Sequence, residues 1–265
     1  MKIAVAGKGG VGKTFVSATL ARLLARDGYS VLAVDADPNL NLGYSLGLEY
    51  EAANKIVPLT GNEALIKEKT GASPEEALGN IFNMNPRVND IVDRFGVNAP
   101  DNVKLLVMGT VKGGGTGCMC GANALLRVLL QHMLIQRGEI LVMDMVAGLE
   151  HIGRGTARRM DAMIVVIEPR MKSVDTVRRI LKMAEEIEVK TILAVGNKVM
   201  RDKDEVFINE KMKKLGVPVI ALIPYDQSVA DADMEGIPTI DYAPNSLAVK
   251  AVKELEELLI ERYKP

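Results

Sequence analysis

Apolar positions in this chain fall into short continuous runs separated by stretches with helical spacing, the pattern of buried parallel strands alternating with amphipathic helices. The first run, Lys2-Ile3-Ala4-Val5-Ala6, reads as a strand; a glycine-rich turn follows, then a helical pattern over about residues 14–27 that Gly28 ends. Ser30–Asp35 forms the second run. Further buried strands are predicted at Val103–Gly109, Glu139–Asp144, Ala162–Pro169, Thr191–Lys198 and Val217–Ile223. Helices are predicted over Asn123–Gln136, Ser173–Ile187 and Asn245–Lys264. Residues 49–102 break the rhythm. There Gly, Pro and Asn punctuate short amphipathic pieces, Pro74–Phe82 and Val88–Phe95, which read as a helical excursion between strands. The expectation is a single α/β domain over residues 1–265, with a doubly wound, mostly parallel sheet of seven to eight strands.

The turn after the first strand is Gly7-Lys8-Gly9-Gly10-Val11-Gly12-Lys13-Thr14, followed by Phe15. It is G-x-x-x-x-G-K-T between a strand and a helix, the context that makes a P-loop. Its glycines let backbone N–H groups converge on an anion, and the helix N-terminus adds partial positive charge. Lys13 then reaches the β- and γ-phosphates of ATP, and the Thr14 hydroxyl ligates Mg²⁺. Packing does not explain Lys8, because so tight a loop would hold two cations close together unless an anion lay between them.

Two strand ends carry carboxylates. Asp35 and Asp37 close the second run at the edge where open α/β sheets keep their ligands, either as site groups or as a cap and turn before Pro38. The run ending in Asp144 has the form of a Walker B strand, and Gly148 fits a backbone that approaches the γ-phosphate closely.

Both cysteines of the chain, Cys118 and Cys120, lie in the glycine-rich stretch Lys112–Gly121, just before a predicted helix. A disulfide across one residue would be strained, whereas thiolates form more easily near a helix N-terminus, so the pair points to metal or redox chemistry. Two sulfurs do not close a Zn²⁺ or Ni²⁺ shell; two copies around a twofold axis supply four. The histidines are His132, which reads as packed on an apolar helix, and His151, which follows the Walker B strand.

Composition narrows the partners. A net charge of −1, four Phe, six Tyr and no Trp leave no basic, aromatic surface for nucleic acid. No run of 18 apolar residues suggests a membrane span, and the first strand leaves no room for a leader, so a cytoplasmic protein is expected.

With Lys8 preceding the P-loop lysine, the signature K-G-G-x-G-K-T resembles the deviant Walker A group of P-loop ATPases, which includes MinD, ParA, the arsenite-pump ATPase and the nitrogenase iron protein. The C-x-C, the helix starting Asn123-Ala124-Leu125-Leu126-Arg127 and the later Glu150-His151-Ile152-Gly153-Arg154-Gly155 resemble, within that group, the CooC-type nickel-insertion ATPases that mature carbon monoxide dehydrogenase. The resemblance spans essentially the whole chain. It implies an ATP-hydrolysing metallochaperone: a homodimer carrying Ni²⁺ or Zn²⁺ on Cys118 and Cys120, with a client nickel enzyme as partner. It further implies that Lys8 reaches the partner subunit's nucleotide, that Asp37 directs the attacking water and that Asp35 lies nearer Mg²⁺. Asn197 would pair with adenine, and Pro224, Tyr225 and Asp226 would line the base. The C-terminal helix, with interleaved Glu and Lys, resembles a docking helix more than the membrane anchor of MinD. Two positions depart from the family pattern: Val146 stands where a glutamate is expected, and Phe15 where Thr or Ser is common. Two further readings stay open, an iron–sulfur electron-transfer ATPase like the nitrogenase iron protein and a positioning ATPase like MinD or ParA.

Overall fold

A computed structural model describes residues 1–71, 83–109, 120–136, 139–146 and 159–264. Its centre is an eight-stranded sheet in the order β3-β4-β2-β5-β1-β6-β7-β8. The strands are β1 (Lys2–Gly7), β2 (Val31–Ala36), β3 (Val97–Asn98), β4 (Lys104–Val107), β5 (Ile140–Met145), β6 (Ala162–Ile167), β7 (Ile192–Val199) and β8 (Val219–Pro224). All pairings are parallel except that of the two-residue edge strand β3 with β4. Among the described residues the fold is therefore the doubly wound α/β type that the alternation of apolar runs predicts.

Alternation along each strand divides the core between the two faces. Ile3 and Val5 of β1 face one way, packing in a cluster with Val16, Leu20 and Leu24 of α1 (Lys13–Arg26) and with Val252, Leu255 and Leu259 of the C-terminal helix (Leu247–Tyr263). Ala4 and Ala6 face the other way, in a cluster with Leu125, Leu129 and Met133 of the helix Cys120–Gln136 and with Val177 and Ile180 of the helix Met171–Glu186. A buried leucine contributes roughly 1.5–3 kcal/mol, so the P-loop helix is held firmly by its apolar side. No helix among the described residues is long and apolar enough to cross a membrane.

Several boundaries differ from the sequence expectation. The helix expected from Asn123 begins at Cys120, so that cysteine opens the helix instead of ending the loop. Two helices, Asp202–Lys214 and Gln227–Glu235, were not expected, since both are rich in charge and bury few side chains. Of the excursion, the helices Tyr50–Asn54, Glu63–Thr70 and Ile91–Phe95 are described; the expected piece Pro74–Phe82 lies outside the described residues.

Candidate active site

The carboxyl ends of β1, β2 and β5 lie side by side, and each delivers chemistry to the same place. Gly7 ends β1, and Gly9 and Gly10 lie exposed at the loop tip. Val11 is fully buried and anchors the loop. Gly12 caps α1 with φ 95°, and a β-carbon there would lie 2.2 Å from the Asn197 side-chain nitrogen, so only glycine fits. Lys13 and Thr14 open the helix, where its free N–H groups favour an anion.

Strand register then sets the carboxylates. Asp35 pairs across from Asp144 on neighbouring strands, and both are almost wholly buried. The Thr14 hydroxyl donates to Asp144 Oδ2 at 2.7 Å, while the Ser17 hydroxyl lies 3.3 Å from Asp144 Oδ1. Asp37 is turned toward the loop: its Oδ2 stands 3.5 Å from Lys13 Nζ, and its Oδ1 accepts the Asn39 N–H at 3.0 Å. Lys8 is half-exposed on the loop.

Asp35 shapes the turn that carries Asp37. Its Oδ1 accepts the Asp37 N–H at 3.1 Å and its Oδ2 the Leu42 N–H at 3.0 Å. Burial pushes this carboxyl up to about 7; the two N–H groups pull it down, and the charges of Asp144 and Asp37 add to the rise. Burial likewise raises Asp144, against the downward pull of the Thr14 hydroxyl and the Lys13 charge.

A cleft of about 960 Å³ runs from Thr14 and Phe15 past Asn197 to Pro224, Tyr225 and Asp226. Its far wall includes Tyr44 and Tyr50, whose rings stand 5.3 Å apart. The Asn197 amide is engaged within the protein, donating to the Val11 carbonyl at 2.7 Å and accepting the Lys198 N–H at 2.9 Å. One N–H and one lone pair of that amide are left for a ligand. Asp226 caps the helix Gln227–Glu235 through the Ser228 N–H and hydroxyl and also accepts the Ala248 N–H. The Ser228 hydroxyl holds this carboxyl below the usual carboxylate range.

Cys118, Gly148 and His151 lie outside the described residues. Val146 is half-buried just past β5. His132 is half-buried on its helix and lines a second cavity of about 390 Å³ with Arg87 and Gln131. Sequence reasoning also missed Ser17 and Lys198. Ser17 sits one turn along from Lys13, a spacing that could have drawn notice. Nothing in the sequence points Lys198 at the loop.

A P-loop at the head of α1, with aspartates at the ends of two adjacent parallel strands, defines a P-loop ATPase. Residues 2–240 match the family model of the CobQ/CobB/MinD/ParA nucleotide binding domain, and the chain belongs to that family. It is 43% identical over 258 residues to an uncharacterized ATP-binding protein of Methanocaldococcus jannaschii, covering 97% of this chain and 96% of that one. It is 41% identical over 244 residues to the carbon monoxide dehydrogenase accessory protein CooC of Rhodospirillum rubrum, covering 92% and 91%. A chain of the MinC:MinD cell division protein complex of Aquifex aeolicus shares the fold with a TM-score of 0.68 at 20% identity, covering 100% of this chain and 98% of that one.

Proposed function

We propose that this ATPase is a metallochaperone that works as a nucleotide-dependent homodimer and delivers nickel to carbon monoxide dehydrogenase or a related nickel enzyme. The observation that carries the reading is its 41% identity to the carbon monoxide dehydrogenase accessory protein across 92% of the chain. The spacing of Cys118 and Cys120, with Cys120 opening a helix, supports it, because thiolates are favoured there.

In this mechanism the N–H groups at the head of α1 and the Lys13 ammonium hold the β- and γ-phosphates. Asp37, on the turn set by Asp35, accepts a hydrogen bond from the attacking water and orients it toward the γ-phosphate. Thr14 and Asp144 are oxygen donors of the kind hard cations prefer, and they would hold Mg²⁺, which offsets phosphate charge when bound. Lys8 extends toward the nucleotide of a second copy. Asn197, Pro224 and Tyr225 hold the base end of ATP in the cleft. Ni²⁺ or Zn²⁺ is the cargo, held by four thiolates from two copies. Loss of the γ-phosphate releases the turn around Asp37, which alters the paired Cys118/Cys120 site and releases the metal to the client enzyme.

The test is activation of nickel-free carbon monoxide dehydrogenase at limiting Ni²⁺. Activation should require ATP, and both Lys13→Ala and the double variant Cys118→Ala/Cys120→Ala should abolish it. Activation no better than with free Ni²⁺ would contradict the reading.

A further inference from the structure

The strand that carries Asn197 ends irregularly. Lys198 has φ 58°, and the pairing of β7 with β8 shifts between Gly196 and Val199. In a regular strand two successive side chains point to opposite faces. The left-handed residue breaks that alternation, and both side chains reach the same loop. Asn197 Nδ2 donates to the Val11 carbonyl at 2.7 Å, and Lys198 Nζ donates to the Gly10 carbonyl at 2.8 Å. The Lys198 N–H, donated to Asn197 Oδ1, fixes the orientation of the amide.

The two carbonyls belong to consecutive residues of the phosphate-binding loop. In a trans peptide the C=O and the N–H that follows it point to opposite sides. Anchoring these carbonyls at the end of β7 therefore turns the N–H groups of Val11 and Gly12 away from that strand. The Val11 N–H then closes the loop on the Lys8 carbonyl at 3.3 Å, and the Gly12 N–H is left for an anion. The Lys198 bond is charge-assisted, though made by an exposed side chain where solvent weakens it.

We propose that Lys198 is a positioning residue for nucleotide binding: together with Asn197 it braces the carbonyls of Gly10 and Val11 and holds the loop in its anion-binding shape before the nucleotide arrives. This rests on the reading that the loop holds the phosphates. A residue that only finished β7 would change stability and leave affinity alone; a brace changes affinity for any nucleotide with a β-phosphate and spares turnover once ATP is bound.

The experiment titrates the full-length chain with Mg·ATP and Mg·ADP and measures hydrolysis. Lys198→Met should weaken both nucleotides about tenfold, equivalent to about 1.4 kcal/mol, with kcat within about twofold of the unsubstituted chain. Lys198→Arg, which keeps a charged donor within reach of the Gly10 carbonyl, should restore most of the affinity. Affinity unchanged in Lys198→Met, or lost equally in Lys198→Arg, would overturn the brace. Lys13→Ala is run in parallel. If it loses nucleotide and Lys198→Met does not, the brace alone fails; if Lys13→Ala binds normally, the phosphate reading of the loop fails with it.

Discussion

Lys13 Nζ stands 3.5 Å from Asp37 Oδ2, with the two side chains only 6% and 10% exposed. The loop Gly7–Thr14 and the turn after β2 are thus joined by an ion pair. In the proposed mechanism an arriving phosphate competes with Asp37 for the ammonium and frees the carboxylate for water. Asp37→Asn removes the competing charge and replaces one carboxylate oxygen with an NH₂ donor, leaving a weaker acceptor for the water. The variant should bind ATP at least as tightly as the unsubstituted chain and hydrolyse it on the order of 10²-fold more slowly, as read by nucleotide titration and phosphate release. Hydrolysis at the normal rate would remove Asp37 from the mechanism.

Thr14 and Ser17 donate to opposite oxygens of Asp144. Their effects should differ in kind. Thr14→Val takes away the proposed Mg²⁺ ligand, so hydrolysis should fall about 10–100-fold with a raised requirement for Mg²⁺. Ser17→Ala removes a hydroxyl that lies 3.0 Å from the Lys13 carbonyl and 3.3 Å from Asp144 Oδ1, and should cost about 1 kcal/mol of stability with hydrolysis largely kept. Magnesium titrations of activity and thermal melts separate the two.

Asp35 gives a pH signature. Unfolded, it is ionised above about pH 4; folded, it keeps its proton up to about 7. Between those values the folded state binds more protons. The stabilising contribution is therefore full at low pH and is lost as pH rises through about 7. Asp35→Asn removes this dependence, so the Tm of the variant minus that of the unsubstituted chain should rise by a few degrees from pH 5 to pH 8. A difference that stays flat over that range would mean the carboxyl is already ionised at pH 5.

Arg22, only 3% exposed, binds Asp101 of the turn Pro100–Asn102 and Asp241 of the short helix Thr239–Tyr242, and Arg26 reaches the same two carboxylates from the surface. Arg22→Met should cost about 1–3 kcal/mol, because the buried guanidinium and its bonds to Asp101 and Asp241 are lost and only Arg26 is left to those carboxylates. Arg26→Met, at a side chain more than a third exposed, should cost less than about 1 kcal/mol. Urea midpoints at unchanged slope would report both.

The central strands were legible in the sequence because each is buried on both faces and so reads as an unbroken apolar run; β5, Ile140–Met145, is buried at every position. The loop was legible because glycine, lysine and threonine have fixed tasks there. Strand β3 was not, since two residues make no pattern. The helix Asp202–Lys214 buries only Asp204, Ile208 and Met212, too sparse an apolar stripe to stand out among its charges. Asp226 lines the cleft, and its oxygens also cap one helix and tie down the start of another, a use visible only once Ser228 and Ala248 are brought to it. The reach of Lys198 to Gly10 depends on one left-handed residue, and a lysine in a sequence does not announce that backbone.

The most direct test of the metallochaperone reading is metal content and mass of the anaerobically reduced protein, with and without ATP, for the unsubstituted chain and for Cys118→Ala/Cys120→Ala. The account predicts one Ni²⁺ or Zn²⁺ per dimer in the unsubstituted chain and none in the double variant, with dimer mass by light scattering in ATP. Metal-free protein that dimerises and hydrolyses ATP equally well with and without its cysteines would contradict it.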